Sequence, residues 1–306
     1  MAKKDTGFWD ALVEALGFGE APTIAERRTQ GLTTIGEWAA STTGDQMRWC
    51  CPRAAFAARL EKLVTSPGLM HQGSYPWCMA AAFLFCMLRR YPDLVADYAV
   101  GLYDTGTGSI EDFSTSVAAE LVEFDLPRYA RGGLAEHPLP GGRATIDVEH
   151  VDWILLAGCV DEAIFPYNHK GPLDFSPGMT GLPSEIEEFF QDTDLYGSVS
   201  VVRFPANESA ARILAVIAAA DVDVVLVGKL DAFAQGLTDS TVDHAAVVTD
   251  ASIQANGELL VKYWSWGDRL PPDFQAIAEG NSVFSFSTTA QFLRAVSAAV
   301  VATHPD

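Results

Sequence analysis

Apolar residues recur at helical spacing through the first half of the chain and gather into shorter, partly alternating runs in the second. The first pattern predicts helices and the second predicts strands. Phe8–Leu16 puts Phe8, Leu12, Ala15 and Leu16 on one helical face, and Gly17 and Gly19 end it. Ala54–Val64 turns Ala55, Phe56, Leu60 and Leu63 inward and stops at Ser66-Pro67-Gly68. Trp77–Tyr91 is apolar almost throughout and ends on Arg89-Arg90, where cations suit the helix dipole. Pro92-Asp93 starts another helix through Leu102. Asp104–Ser109 reads as a turn-rich loop, and Asp112–Val122 is predicted helical.

Gly132-Gly133 and Pro138-Leu139-Pro140-Gly141-Gly142 make Arg131–Arg143 a linker or a long surface loop. Beyond it, Val151–Ala157 predicts a strand or short helix, Pro183–Phe190 an acidic helix, and Ser198–Phe204 a strand. Glu208–Ala219 predicts a helix and Asp223–Leu226 a buried strand. Ala245–Asp250 and Leu259–Trp266 pair as a hairpin across Ala255-Asn256-Gly257, because Asn-Gly suits a tight turn. Thr288–Ala302 is predicted as a closing helix. Helices first and strands later give an α+β class. Residues 1–68 read as a helical N-terminal section and residues 69–306 as the main domain.

Composition narrows the function classes. The 306 residues, 49% hydrophobic and 20% charged, suffice for a core without staples. Net charge is −20, from 20 Lys and Arg against 40 Asp and Glu. That balance argues against nucleic acid and anionic membranes as partners, since both demand clustered cations. No uncharged apolar run reaches spanning length, and no secretory leader pattern is present, so the chain is expected to be made in the cytoplasm. Five cysteines, Cys50, Cys51, Cys78, Cys86 and Cys159, fit reduced thiols. The vicinal Cys50-Cys51 pair lacks ligands at metal spacing and reads as packing. P-loop, zinc-helix and nucleophile-elbow motifs are missing, so neither a cofactor nor a metal is expected.

The candidate chemistry centres on Cys78. A cysteine on an apolar helix is ordinarily an inert core thiol. Pro76-Trp77, however, place this one at a helix start, where the dipole favours the reactive thiolate. Gln72, six residues upstream, carries a side-chain amide that suits an oxyanion donor beside the Cys78 N–H. His244 opens the apolar run Ala245-Ala246-Val247-Val248 and is the candidate base. His71, next to Gln72, is its rival.

Gln72-Gly73-Ser74 followed by Cys78 resembles the active-site segment of papain-like cysteine peptidases. Val242-Asp243-His244-Ala245 is similar to their histidine segment, and Lys262–Gly267 to their Asn-Ser-Trp-Gly segment. The resemblance implies a helical lobe bearing Cys78 and an antiparallel sheet lobe bearing His244, with a cleft between. It also implies a peptidase acting on protein substrates, in which Cys78 is nucleophile, His244 base and Gln72 oxyanion donor. Trp264 stands where that family carries the asparagine that orients the imidazole, and an indole N–H donates but cannot accept. Asp268, Ser265 or a backbone carbonyl are the candidates for that third role.

A looser resemblance, over Trp77-Cys78 to Asp104-Thr105-Gly106, is to papain-like effector toxins that bacteria deliver by contact-dependent systems such as type VI secretion. It implies action in a neighbouring cell and a cognate inhibitor or immunity protein. Two rivals stand beside the peptidase. One is another thioester acyl-transfer enzyme (amidase, deamidase or transglutaminase). The other is a non-catalytic binding protein on the same fold.

Overall fold

A computed structural model describes residues 21–41, 49, 51–72, 77–117, 122, 150–163, 183–219, 221–229, 243–265 and 283–305. Among the described residues the chain builds eight α-helices, a two-stranded sheet and a six-stranded sheet. Both sheets are antiparallel, so the architecture is mixed α+β. The predicted helix Phe8–Leu16 and the linker Arg131–Arg143 lie outside the described residues. No described helix is long and apolar enough to cross a membrane.

The helical half opens with α1 (Ile24–Ala40), which the apolar spacing alone does not predict. Its start is fixed by a reciprocal cap. Thr23 Oγ1 accepts from the Glu26 N–H, and the Glu26 carboxylate accepts from the Thr23 N–H at 2.8 Å. Then come α2 (Arg53–Thr65), a single 3-10 turn at Pro67–Leu69, α3 (Cys78–Arg90) and α4 (Pro92–Thr105). Alanine and large apolar side chains on every face of α3 make it the buried axis of this half, as expected for a helix without a polar stripe. Pro92 presets the first turn of α4, and Gly106 ends it at φ 75°. α1 crosses α4 at Gly31, where a Cβ would meet the Pro92 carbonyl oxygen at 2.8 Å.

The predicted helix Asp112–Val122 and the loop through Ser109 are corrected here. Thr107–Ile110 (β1) and Phe113–Ser116 (β2) form a hairpin, turned at Glu111 with φ 49°. Phe113 and Thr115 point into the core while Ser114 and Ser116 point out, a period of two rather than 3.6. Phe113 meets Phe83 of α3 at 5.1 Å, and tertiary packing of this kind overrides local helix preference. Val151–Ala157 belongs to a helix, α5 (His150–Ala163), and Pro183–Gln191 forms α6.

The large sheet uses β3 (Ser198–Val202), β4 (Val222–Lys229), β5 (Asp243–Ile253), β6 (Leu259–Trp264) and β7 (Val283–Phe286). Its last strand, β8 (Val296–Thr303), corrects the predicted closing helix: only Thr289–Ala295 is helical. We number that short helix α8 and Ala210–Ile217 α7. β8 sits between β3 and β4, where Val296 and Val300 are buried, giving the order β3-β8-β4-β5-β6-β7. β5 and β6 form the predicted hairpin, with Gly257 at φ 81° in its turn. Alternation splits the core. Val225, Val227, Ala245, Val247 and Trp264 join the helical half, while Val224, Leu226, Ala246 and Tyr263 pack with Ile213 of α7 and Phe292 of α8.

Candidate active site

Cys78 is the first residue of α3 and is 4% exposed. Trp77 precedes it with a non-helical backbone (φ −105°, ψ 31°), so the Cys78 N–H lies outside the intrahelical ladder and belongs to the positive end of the helix. The helix runs beside β5. Phe85 stacks on Trp264 at 3.9 Å and 9°, Trp264 pairs with Val247, and Arg89 Nη1 donates to the Val248 carbonyl. Going back from Phe85 to Cys78 and from Val247 to His244 covers roughly 10 Å in each element. Cys78 and His244 therefore belong to the same end of the helix–sheet layer.

His244 pairs with Gly228 near the start of β5 and is 6% exposed. His244 comes just before Ala245, which with Val247 faces the core shared with α3, and Ser265 directly follows Trp264 at the end of β6. The two meet at the sheet's end: His244 Nε2 lies 2.6 Å from Ser265 Oγ. Burial pushes the imidazole pKa down to about 4, so the ring is neutral at pH 7. Ser265 takes Nε2, so any bond to a thiol uses Nδ1.

Gln72 is 7% exposed and follows the 3-10 turn. The main chain just before it is pinned from three sides. The Trp264 indole donates to the Gly68 carbonyl at 3.2 Å, Arg59 Nη2 donates to the Leu69 carbonyl at 2.7 Å, and the His71 N–H donates to Asp152 Oδ2 at 2.8 Å. Asp152 on α5 also receives both Arg59 Nε at 2.8 Å and Nη2 at 2.7 Å. Its carboxylate is 0% exposed, and burial raises its pKa against the pull of Arg59 and the His71 N–H. Neither Arg59 nor Asp152 is among the residues the motifs single out. The signal was present in Val151-Asp152-Trp153-Ile154: one carboxylate in an apolar run must be paired when buried.

Trp264 serves packing, through Phe85 and Gly68, and Ser265 is the neighbour that reaches the imidazole. Asp268, another candidate for that role, lies outside the described residues, as do Trp266, Cys50 and residues 73–76. No disulfide joins the described cysteines, all of which are buried. Burial pushes Cys159 up to about 12 and Cys86 well above its usual value, which keeps both as protonated thiols. Among the described residues no three His, Cys, Asp or Glu side chains gather into a metal site. Comparison with protein-family models, curated proteins and solved structures finds no match to this chain.

Proposed function

We propose that the chain is a papain-like cysteine peptidase, with Cys78 as nucleophile, His244 as base, Ser265 as the residue that orients the base, and Gln72 as oxyanion donor. The observation that carries this reading is the His244–Ser265 bond of 2.6 Å. It supplies a partner for the imidazole although tryptophan stands at the position where asparagine is expected. With the proton on Nε2, the ring donates to Ser265 Oγ, and Nδ1 is the acceptor for the Cys78 thiol proton. Sγ then bonds to the peptide carbonyl carbon, and the oxyanion is met by the Gln72 amide and the Cys78 N–H. The imidazolium returns its proton to the leaving amine as the C–N bond breaks. Water, deprotonated by His244, hydrolyses the thioester and restores the thiol.

The looser effector resemblance makes proteins of a neighbouring bacterial cell the proposed substrates. The test uses iodoacetamide at mildly acidic pH, followed by mapping of the labelled cysteine. Fast labelling confined to Cys78, slowed in His244→Ala, is expected, because burial holds Cys86 and Cys159 protonated. Slow, equal labelling of all thiols would overturn the reading. In bacteria, wild type but not Cys78→Ala should arrest growth. Mass spectrometry of the products separates peptide cleavage from deamidation or acyl transfer to an amine.

A further inference from the structure

Arg59 and Asp152 form an ion pair that does not resemble a stabilising surface bridge. The carboxylate is completely buried and the guanidinium largely so. Both ions lose hydration, and such pairs are often no more stabilising than an apolar pair of the same volume. What this pair holds is main chain. Asp152 Oδ2 takes the N–H of His71, and Arg59 Nη2 gives to the carbonyl of Leu69. These two residues flank Met70, and the next residue after His71 is Gln72. The pair thus fixes a peptide donor and a peptide acceptor within three residues of the proposed oxyanion donor, from two helices far apart in sequence.

The geometry points to Arg59 and Asp152 as positioning residues that hold the Gln72 amide where an oxyanion develops. The inference rests on the peptidase reading, in which Gln72 has that role. A displacement of about 1 Å in a catalytic group can cost roughly a hundredfold in rate, so a clamp on the preceding backbone acts on chemistry more than on folding. Arg59 suits the task because its planar fork makes two bonds to the carboxylate and one to a carbonyl at once, which a lysine cannot reproduce.

Two reactions of the same thiol separate the clamp from the nucleophile. Alkylation by iodoacetamide displaces iodide and develops no oxyanion. Hydrolysis of p-nitrophenyl acetate passes through a tetrahedral oxyanion. In Asp152→Asn and Arg59→Lys, ester hydrolysis should fall by about ten- to a hundredfold, while Cys78 alkylation stays near the wild-type rate. Gln72→Ala should show the same split, and adding Asp152→Asn to it should cost little more, since both act through one donor. Arg59→Leu with Asp152→Leu provides a folded, uncharged version if the single changes destabilise. Undiminished hydrolysis in folded variants would overturn the clamp, and so would equal loss of both reactions or a multiplicative double variant. If wild type itself shows neither selective Cys78 alkylation nor Cys78-dependent ester hydrolysis, the peptidase reading falls and the clamp's role falls with it.

Discussion

A buried carboxylate from another element lies beside each end of α3, and the two are used differently. Near the N-terminal end, Asp152 takes one arginine fork and one backbone N–H, so it holds a loop. Near the C-terminal end, Asp223 on β4 takes only side chains: Tyr196 Oη at 3.1 Å, His304 Nε2 at 3.0 Å and Arg90 Nε at 3.7 Å. His304 in turn meets Tyr91 Oη through Nδ1 at 2.9 Å. This second network joins Arg90 of α3, Asp223 of β4, Tyr196 two residues before β3, and His304 directly after β8. It ties elements together, whereas the first network positions a peptide segment. The expectation is a division of labour, with stability concentrated at one end of the helix and rate at the other.

The strongest test of that division is Asp223→Ala. It leaves Arg90 and His304 facing each other without the carboxylate, which costs about 3 kcal/mol or more when a buried pair is broken. Urea unfolding should show that loss, while ester hydrolysis per folded molecule stays unchanged. A large fall in hydrolysis with little loss of stability would erase the distinction.

Acid should act at the opposite end. Unfolded, His244 takes a proton near its ordinary value of 6.5; folded, it does so only at about 4. Above pH 7 both states are neutral and the histidine adds no pH dependence. Between those values the unfolded chain is protonated first, so stability falls by about 3 kcal/mol as pH drops, and the fall levels off below pH 4. The slope should be largely absent in His244→Gln. The acid limb of Cys78 alkylation should likewise lie near pH 4, and a limb near 6.5 would contradict a desolvated imidazole.

Ser265→Ala should lower ester hydrolysis by about tenfold, by freeing the imidazole to rotate, with little effect on unfolding. An unchanged rate would remove Ser265 from the site. The smallest effect is expected for Trp264→Phe. That change keeps the stack on Phe85 but loses the bond to the Gly68 carbonyl, a cost of about 1 kcal/mol by urea unfolding.

The parts of this arrangement that periodicity encodes locally were legible. The helices around Phe56 and Phe83 and the Asn256-Gly257 hairpin follow from spacing and turn chemistry. α1 was legible in principle, because Thr23 and Glu26 spell out a capping box. β2 and β8 were not, since what makes them strands is where they lie: β2 packs under Phe83 and β8 between two other strands. Cys78, His244 and Gln72 stood out by residue type and flanks. Asp152 did not, because a carboxylate's partners come from other elements. The contact between Ser265 and His244 needed three dimensions too, since the two lie on different strands' ends and their sequence flanks do not pair them.

The place of β8 has a consequence for how the molecule is made. Translation produces β3 and β4 well before residues 296–303, yet β8 must slot between them to complete their hydrogen bonding. Pairings of such long sequence separation are slow to form, and the waiting strands expose open edges. The helical half, built from nearer contacts, is free to collapse first around α3. His244 therefore sits on a strand whose sheet is incomplete until residue 303 has left the ribosome.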